Sequence, residues 1–357
     1  MRILIINPFG IGDVIFTLPL IRNLKIYFPK LHIGYLCNRR TYPVLNVQPD
    51  IDSLYVYEKD EWRKMYKASR VKTILEFRNF LKSIKKMKFD IVFDLSLAQE
   101  FGFVSWFLGI KKRLGYNYKN RGIFLNKRIK ISGYSDKHII EYYNGLITLL
   151  GLEPKYKFTE LHLPENVLSW AESEIAKLKD RTDFIVSLIP GGGASWGKDS
   201  YKKRWPEKKY KELLNLIKRD TNAGILLLGD KKDKYAWGDF PECGTVLNYM
   251  GKTSLLEFAA LIASSDLVIT NDGGPLHIAA ALSVPTLSIF GPVPERVYGP
   301  YPEDSKHRVI SLDLNCRPCY RNFKMPDCSN YACLNEISVD NVFKEFKKHL
   351  MLIKPEI

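Results

Sequence analysis

Five short segments carry residues that could do chemistry. The first is Gly10-Ile11-Gly12-Asp13, between a β-branched run (Arg2–Asn7) and a helical pattern (Val14–Phe28). Glycines there let the backbone turn tightly and approach a ligand. A carboxylate at a helix N-terminus is stabilised by free N–H groups and the helix dipole. Asp13 is thus either a plain helix cap or a carboxylate in the mouth of a sheet, where α/β proteins bind ligands. The segment is not a dinucleotide fingerprint, because Ile15 stands where the third glycine of G-x-G-x-x-G belongs.

The second segment is Pro190-Gly191-Gly192-Gly193-Ala194-Ser195-Trp196, continuing into Gly197-Lys198 and Lys203-Arg204-Trp205-Pro206. Bare N–H groups with cations close by suit a phosphate. Gly192-x4-Gly197-Lys198 imitates a P-loop, but Asp199 replaces the hydroxyl residue that would hold magnesium, and the next helix waits until Pro206. The third segment is Asn271-Asp272-Gly273-Gly274-Pro275-Leu276-His277, between a strand and a short helix whose N-terminus can hold a pyrophosphate. His277 belongs to that site or is a histidine hydrogen-bonded inside the fold. Gly229-Asp230 ends a strand where it would meet a ribose or base, or is a plain turn, and Phe290-Gly291-Pro292 ends another. Together, the loops of the second half read as a nucleoside diphosphate cradle, with a lone carboxylate supplied by the first half.

Six cysteines add one more candidate. Cys37 and Cys243 are isolated, whereas Cys316, Cys319, Cys328 and Cys333 cluster. The first pair has the spacing of zinc ligands, and the second is looser. The alternatives are a structural zinc knot and a thiol-bearing loop pinned by Pro318 and Pro326. Disulfides are not expected in a reducing compartment.

These loops need elements to hold them. Strand-like runs at His32–Leu36, Ser53–Tyr57 and Phe89–Asp94 alternate with helical patterns at Thr73–Met87 and His138–Leu150. A second series begins after the predicted helix Glu165–Lys179. Its strands are Asp183–Ile189, Gly224–Gly229, Asp266–Thr270 and Pro285–Phe290, and its helices are Pro206–Arg219, Ser254–Ser264 and Pro275–Leu282. The alternation predicts α/β architecture with parallel sheets, repeated twice. We expect domains at 1–170 and 171–336, with a terminal helix in 337–357 that packs back on the first domain. The length of 357 residues agrees with two domains.

The composition is that of a globular chain, with 46% hydrophobic and 26% charged residues. The apolar run Ile3–Ile6 is too short for a signal peptide, and no stretch approaches the roughly 18 apolar residues of a membrane span. A cytoplasmic protein is expected, peripheral at the inner face of a membrane. The net charge is +15, and lysines and arginines gather early, at Arg63–Lys72, Lys82–Lys88 and Lys111–Lys130. That surplus is either a solvated surface or a face for an anionic partner. No nucleic-acid recognition module is present; anionic lipid or a phosphorylated glycolipid fits the basic face.

With those residues in hand, the chain resembles glycosyltransferase family 9, the lipopolysaccharide heptosyltransferases. Ile3–Arg22, Val186–Trp205, Ala223–Asp230 and Gly251–Gly299 carry the likeness, with Cys316-Arg-Pro-Cys319 behind them. The resemblance implies a GT-B fold, two Rossmann-like parallel-sheet domains facing across a cleft. It implies an acceptor-binding first domain and a donor-binding second one. It further implies inverting transfer of a sugar, heptose from ADP-heptose, to a lipopolysaccharide inner-core or related surface-glycan acceptor, with no cofactor or catalytic metal. Asp13 aligns with the family's general base, with Gly10 and Gly12 on the acceptor-side loop. Lys203 aligns with its phosphate-binding lysine, and Asp272, Gly273, Gly274 and His277 with its pyrophosphate loop. Gly192, Gly193, Ser195 and Asp230 complete the expected donor site. Gly273 stands where many members have Thr or Ser. The alternatives are transfer of another nucleotide sugar and a nucleotide-sugar epimerase of the same fold.

Overall fold

A computed structural model describes residues 1–192, 194–233 and 244–355. The chain divides into two compact units. The first is Met1–Tyr134 with Ile139–Lys157, and the second is Ser135–His138 with Phe158–Ile357.

Each unit is built on a six-stranded parallel sheet. The first contains β1 (Arg2–Ile6), β2 (His32–Cys37), β3 (Ser53–Val56), β4 (Ile91–Asp94), β5 (Lys112–Tyr118) and β6 (Lys127–Ile131), in the order β3-β2-β1-β4-β5-β6. The second contains β7 (Phe184–Ile189), β8 (Ala223–Leu227), β9 (Val246–Asn248), β10 (Leu267–Asn271), β11 (Thr286–Ile289) and β12 (His307–Ile310), in the order β12-β11-β10-β7-β8-β9. Read from the other edge, the second sheet repeats the first. Both have the doubly wound order in which the chain reverses direction beside its first strand.

The central strands form because they are largely apolar and buried, with Ser187 of β7 pairing its hydroxyl with that of Ser265 at 2.7 Å. Ile3, Leu4, Ile5 and Ile6 are all buried, as are all six residues of β7. Helices cover both faces of such a sheet, so both faces of each strand need apolar side chains. The outer strands are more polar. β6 reads KRIKI and β12 reads HRVI, and both are edges. Lysines on an edge discourage pairing with another chain. They also hide the strand's periodicity, and no strand was expected at either place.

The predicted helix Val14–Phe28 is two helices, Ile11–Ile15 and Leu18–Tyr27. Pro19 has no N–H to continue the first helix. The Thr17 hydroxyl closes the break by donating to the Val14 carbonyl at 2.6 Å. The helix 139–150 tightens into a 3-10 turn after Gly145 and stops at Gly151, whose φ of 76° suits glycine. Ser254 and Glu257 form the predicted capping box. The last helix, Val339–Ile353, does not meet its expectation. Val342, Phe343, Phe346 and Leu350 lie in the core of the second unit, with Phe184, Trp205 and Ile217. Among the described residues no helix is long and apolar enough to cross a membrane.

Candidate active site

In a doubly wound sheet, ligands bind at the carboxyl ends of the strands where the strand order reverses. In the second unit that point lies between β7 and β10. The glycine loop follows β7, and Asn271-Asp272-Gly273-Gly274 follows β10. Asn271, the last residue of β10, ties them together. Its Nδ2 donates to the Pro190 carbonyl at 2.7 Å and the Gly191 carbonyl at 3.1 Å. Its Oδ1 accepts from the Trp205 N–H at 2.9 Å. One buried amide thus fixes three segments.

Lys203 and Asp272 meet there. Nζ lies 2.5 Å from Oδ2, with the side chains 10% and 3% exposed. Arg204 reaches the other way. Its Nε donates to the Gly192 carbonyl at 2.9 Å, and Nη1 lies 3.2 Å from Asp233 Oδ1. Asp233 accepts from the Asp230 N–H at 3.0 Å and fills the space that a Cβ on Gly191 would need. Burial raises its carboxyl above the usual range. Asp230 uses Oδ1 to close its own turn, accepting from the N–H groups of Lys232 and Asp233. Gly192 has φ 109°, a conformation that only glycine adopts readily. Ser195 lies in the helical segment Ala194–Lys203, which breaks at Gly197 (φ 60°), and Gly193 lies outside the described residues.

Gly273 and Gly274 open the helix Gly274–Ala281, which carries His277 on a buried turn. Burial, and then the charges of His138 and Lys203, hold the His277 imidazole well below its usual range. His138 belongs to the same unit. Its Nε2 donates to the Gly299 carbonyl at 3.1 Å, and burial pushes it down to about 4. Both rings are neutral at neutral pH. The Phe290-Gly291-Pro292 turn is taken from within, since Arg317 Nε donates to the Gly291 carbonyl.

In the first unit the order reverses between β1 and β4. Gly10 is the N-cap of the helix Ile11–Ile15 and Asp13 its third residue. Asp13 Oδ2 accepts from the Gly10 N–H at 3.0 Å, while Asn7 Nδ2 donates to the Asp13 carbonyl at 3.0 Å. The carboxylate is therefore held by the turn that precedes it. The Gly10 and Gly12 carbonyls accept from Val14 and Phe16. Beside this turn, at the end of β4, Asp94 is buried. Burial pushes its carboxyl up to about 6, although Ser96 donates to it twice.

Of the two readings of the clustered cysteines, the zinc knot is not supported. Among the described residues no group of three or more His, Cys, Asp or Glu side chains could hold a metal ion. Cys333 turns into the apolar core with Leu334 and Ile337, and burial pushes its thiol up to about 11. Cys316 and Cys328 are exposed, and Cys319 is half-buried. Arg317 fixes this segment instead, pairing with Glu295 at 2.8 Å. Cys243 lies outside the described residues.

Sequence reasoning did not find Asp233, His138 or Asp94, nor the roles of Asn271 and Arg204. Only Asp233 left a local sign, three residues after the Gly229-Asp230 turn.

The model of the family described as Glycosyltransferase family 9 (heptosyltransferase) matches residues 77–329. The chain belongs to glycosyltransferase family 9. Lipopolysaccharide heptosyltransferase 2 of Escherichia coli K12 is 26% identical over 325 residues, 87% of this chain and 88% of that relative. The structure of E. coli ADP-heptose lipopolysaccharide heptosyltransferase II has a TM-score of 0.75 at 23% identity, covering 99% of both chains. The family 9 glycosyl transferase of Veillonella parvula has a TM-score of 0.79 at 22% identity, covering 98% of this chain and 97% of the other. These likenesses show the GT-B fold. Membership of the family makes the protein a glycosyltransferase and removes the epimerase alternative.

Proposed function

We propose that this family 9 enzyme transfers heptose from ADP-heptose to an inner-core lipopolysaccharide acceptor, with inversion and without a catalytic metal. The carrying observation is the pair of glycine loops after β7 and β10, held together by Asn271 around Lys203 and Asp272. The names of the relatives support heptose as the sugar.

The second unit takes the nucleotide sugar. The diphosphate lies at the N-terminus of the helix Gly274–Ala281, against the backbone N–H groups of Gly192 and Ser195. An ammonium has three donors, so Lys203 can hold Asp272 with one and present the others to phosphate. Charge growing on the departing diphosphate is stabilised by Lys203 and these N–H groups. His277, kept neutral, lines the helix, and Asp230 serves the ribose side. The first unit takes the acceptor. Asp13 accepts the proton of the attacking hydroxyl as that oxygen bonds to the anomeric carbon and the diphosphate leaves. The hydrogen bond from the Gly10 N–H aims the carboxylate. The basic first unit holds a phosphorylated, lipid-linked acceptor at the cytoplasmic face of the inner membrane.

A panel of nucleotide sugars tests the donor. ADP-heptose should raise the melting temperature more than ADP-glucose or UDP-sugars do, because a ligand that binds only the folded state stabilises it. A larger rise with another nucleotide sugar would overturn the donor assignment. Asp13→Asn should abolish transfer and leave donor affinity within a few-fold. Transfer near the wild-type rate would remove Asp13 as the base.

A further inference from the structure

Residues 59–86 form two helices, Lys59–Ala68 and Arg70–Lys86, joined at Ser69. Of all these residues only Ile84 is buried. The two helices meet through aromatic rings. Trp62 contacts Phe77 at 5.5 Å and Phe80 at 6.1 Å, and Tyr57 stacks on Trp62 at 6.4 Å. That seam leaves a second apolar stripe with nothing over it. Val71 is 69% exposed, Ile74 64% and Leu75 53%, at i, i+3 and i+4 on one helix. Tyr66, across the joint, is 51% exposed and lies under the Arg70 guanidinium at 5.5 Å.

The charge around this stripe is one-sided. Ten of the 54 Lys and Arg residues fall in residues 59–86, against three of the 39 Asp and Glu, so a surplus of seven lies there in a chain of net +15. Among the described residues only Arg63 of these ten makes an ion pair, with Asp60 at 3.4 Å. Exposed aliphatic side chains ringed by unneutralised cations match a helix that lies in the interface of an anionic bilayer. The aliphatics enter the acyl boundary, and the lysine stems reach back to the headgroups.

We infer that the tip of this helical hairpin, formed by Tyr66, Val71, Ile74 and Leu75 with their flanking lysines and arginines, is the surface by which the enzyme docks on an anionic phospholipid bilayer. The inference deepens the reading above and rests on its lipid-linked acceptor for purpose, though vesicle binding is measured apart from transfer.

The test is co-flotation of the full chain with phosphatidylglycerol-containing vesicles and with pure phosphatidylcholine vesicles. Wild-type protein should float with the first and roughly tenfold less with the second. The triple variant Val71→Ser/Ile74→Ser/Leu75→Ser should lose binding roughly tenfold, as should Lys67→Glu/Lys72→Glu. Both variants alter exposed positions and should keep the wild-type melting temperature. The triple variant should also transfer sugar to a delipidated, water-soluble acceptor as wild type does. Vesicle binding without transfer to that acceptor by any of the proteins would leave docking intact and sink the acceptor reading instead. Docking by the hairpin is overturned by any of four results: no binding of wild type to anionic vesicles; wild-type binding by the triple variant; loss of binding only when the exposed Phe103, Trp106 and Phe107 are replaced; or a dimer that the triple variant dissociates, which would make a second copy the occupant.

Discussion

Replacing Lys203 by methionine separates two things this lysine could do. Its ammonium lies 2.5 Å from Asp272, and both side chains are almost wholly buried. Methionine keeps much of the aliphatic stem but strands the Asp272 carboxylate. Breaking a buried pair from one side costs about 3–5 kcal/mol. For a unit of this size 1 kcal/mol moves the melting temperature by about 2–4 °C, so Lys203→Met should lower it by about 6–20 °C. Adding Asp272→Asn removes the stranded charge and should restore most of that loss, a coupling of up to about 3 kcal/mol. Diphosphate binding should not be restored. If Lys203 contacts the leaving diphosphate, ADP affinity falls by about 1–3 kcal/mol in the single and the double variant alike. Calorimetric melting and ADP titration on wild type, both singles and the double read the two effects separately. A double variant that binds ADP as wild type does would mean that Lys203 only neutralises Asp272. An unchanged melting temperature for Lys203→Met would refute the buried-pair argument.

Three further outcomes follow from the same geometry. Asn271→Ala strands the Trp205 N–H and removes a donor from the Pro190 and Gly191 carbonyls, so urea melts should show a loss of about 2–4 kcal/mol with weaker ADP binding; a loss under about 0.5 kcal/mol would count against the tie. His138 titrates at about 4 when folded and near 6.5 when unfolded, so its contribution is full above about pH 6.5 and is lost as pH falls toward 4. His138→Gln should therefore flatten the stability slope in that window by up to about 1.4 kcal/mol per pH unit, and an unaltered slope would show that the ring is not held neutral. A thiol reagent at mildly alkaline pH should label Cys316 and Cys328 in the native protein, but Cys37 and Cys333, buried and pushed up to about 11, only after unfolding; early labelling of Cys333 would contradict its inward position.

The architecture was legible where a strand is apolar on both faces and a helix carries its own stop signals. The run of Arg2–Ile6, the capping box at Ser254 and the stop at Gly151 are local facts of residue type. β6 and β12 were not legible, because edge strands carry charges that erase the pattern. The terminal helix had a readable apolar face, but nothing local says which core receives it. The cysteine spacing misled for a related reason. Spacing places thiols along the chain, whereas a metal needs them in a coordinating geometry, which no group of three or more such side chains forms among the described residues.

The site shows the same division more sharply. Five glycine-bearing loops looked alike in sequence, each at a strand end. Strand order ranks them. Only the loops after β7 and β10 flank the reversal in the second sheet, and only the loop after β1, beside β4, does so in the first. Gly229-Asp230 follows β8 and Phe290-Gly291 follows β11, each one strand away. The residues that lock the chosen loops act over long separations. Asn271 reaches Trp205 across 66 positions and Pro190 across 81, which no local pattern encodes. A glycine loop therefore announces that backbone can approach a ligand, while the buried amide and ion pairs behind it decide whether that backbone stays in place when the ligand is absent. On this argument the substitutions that most damage donor binding lie beneath the loops, at Asn271 and Arg204, as much as at the glycines themselves.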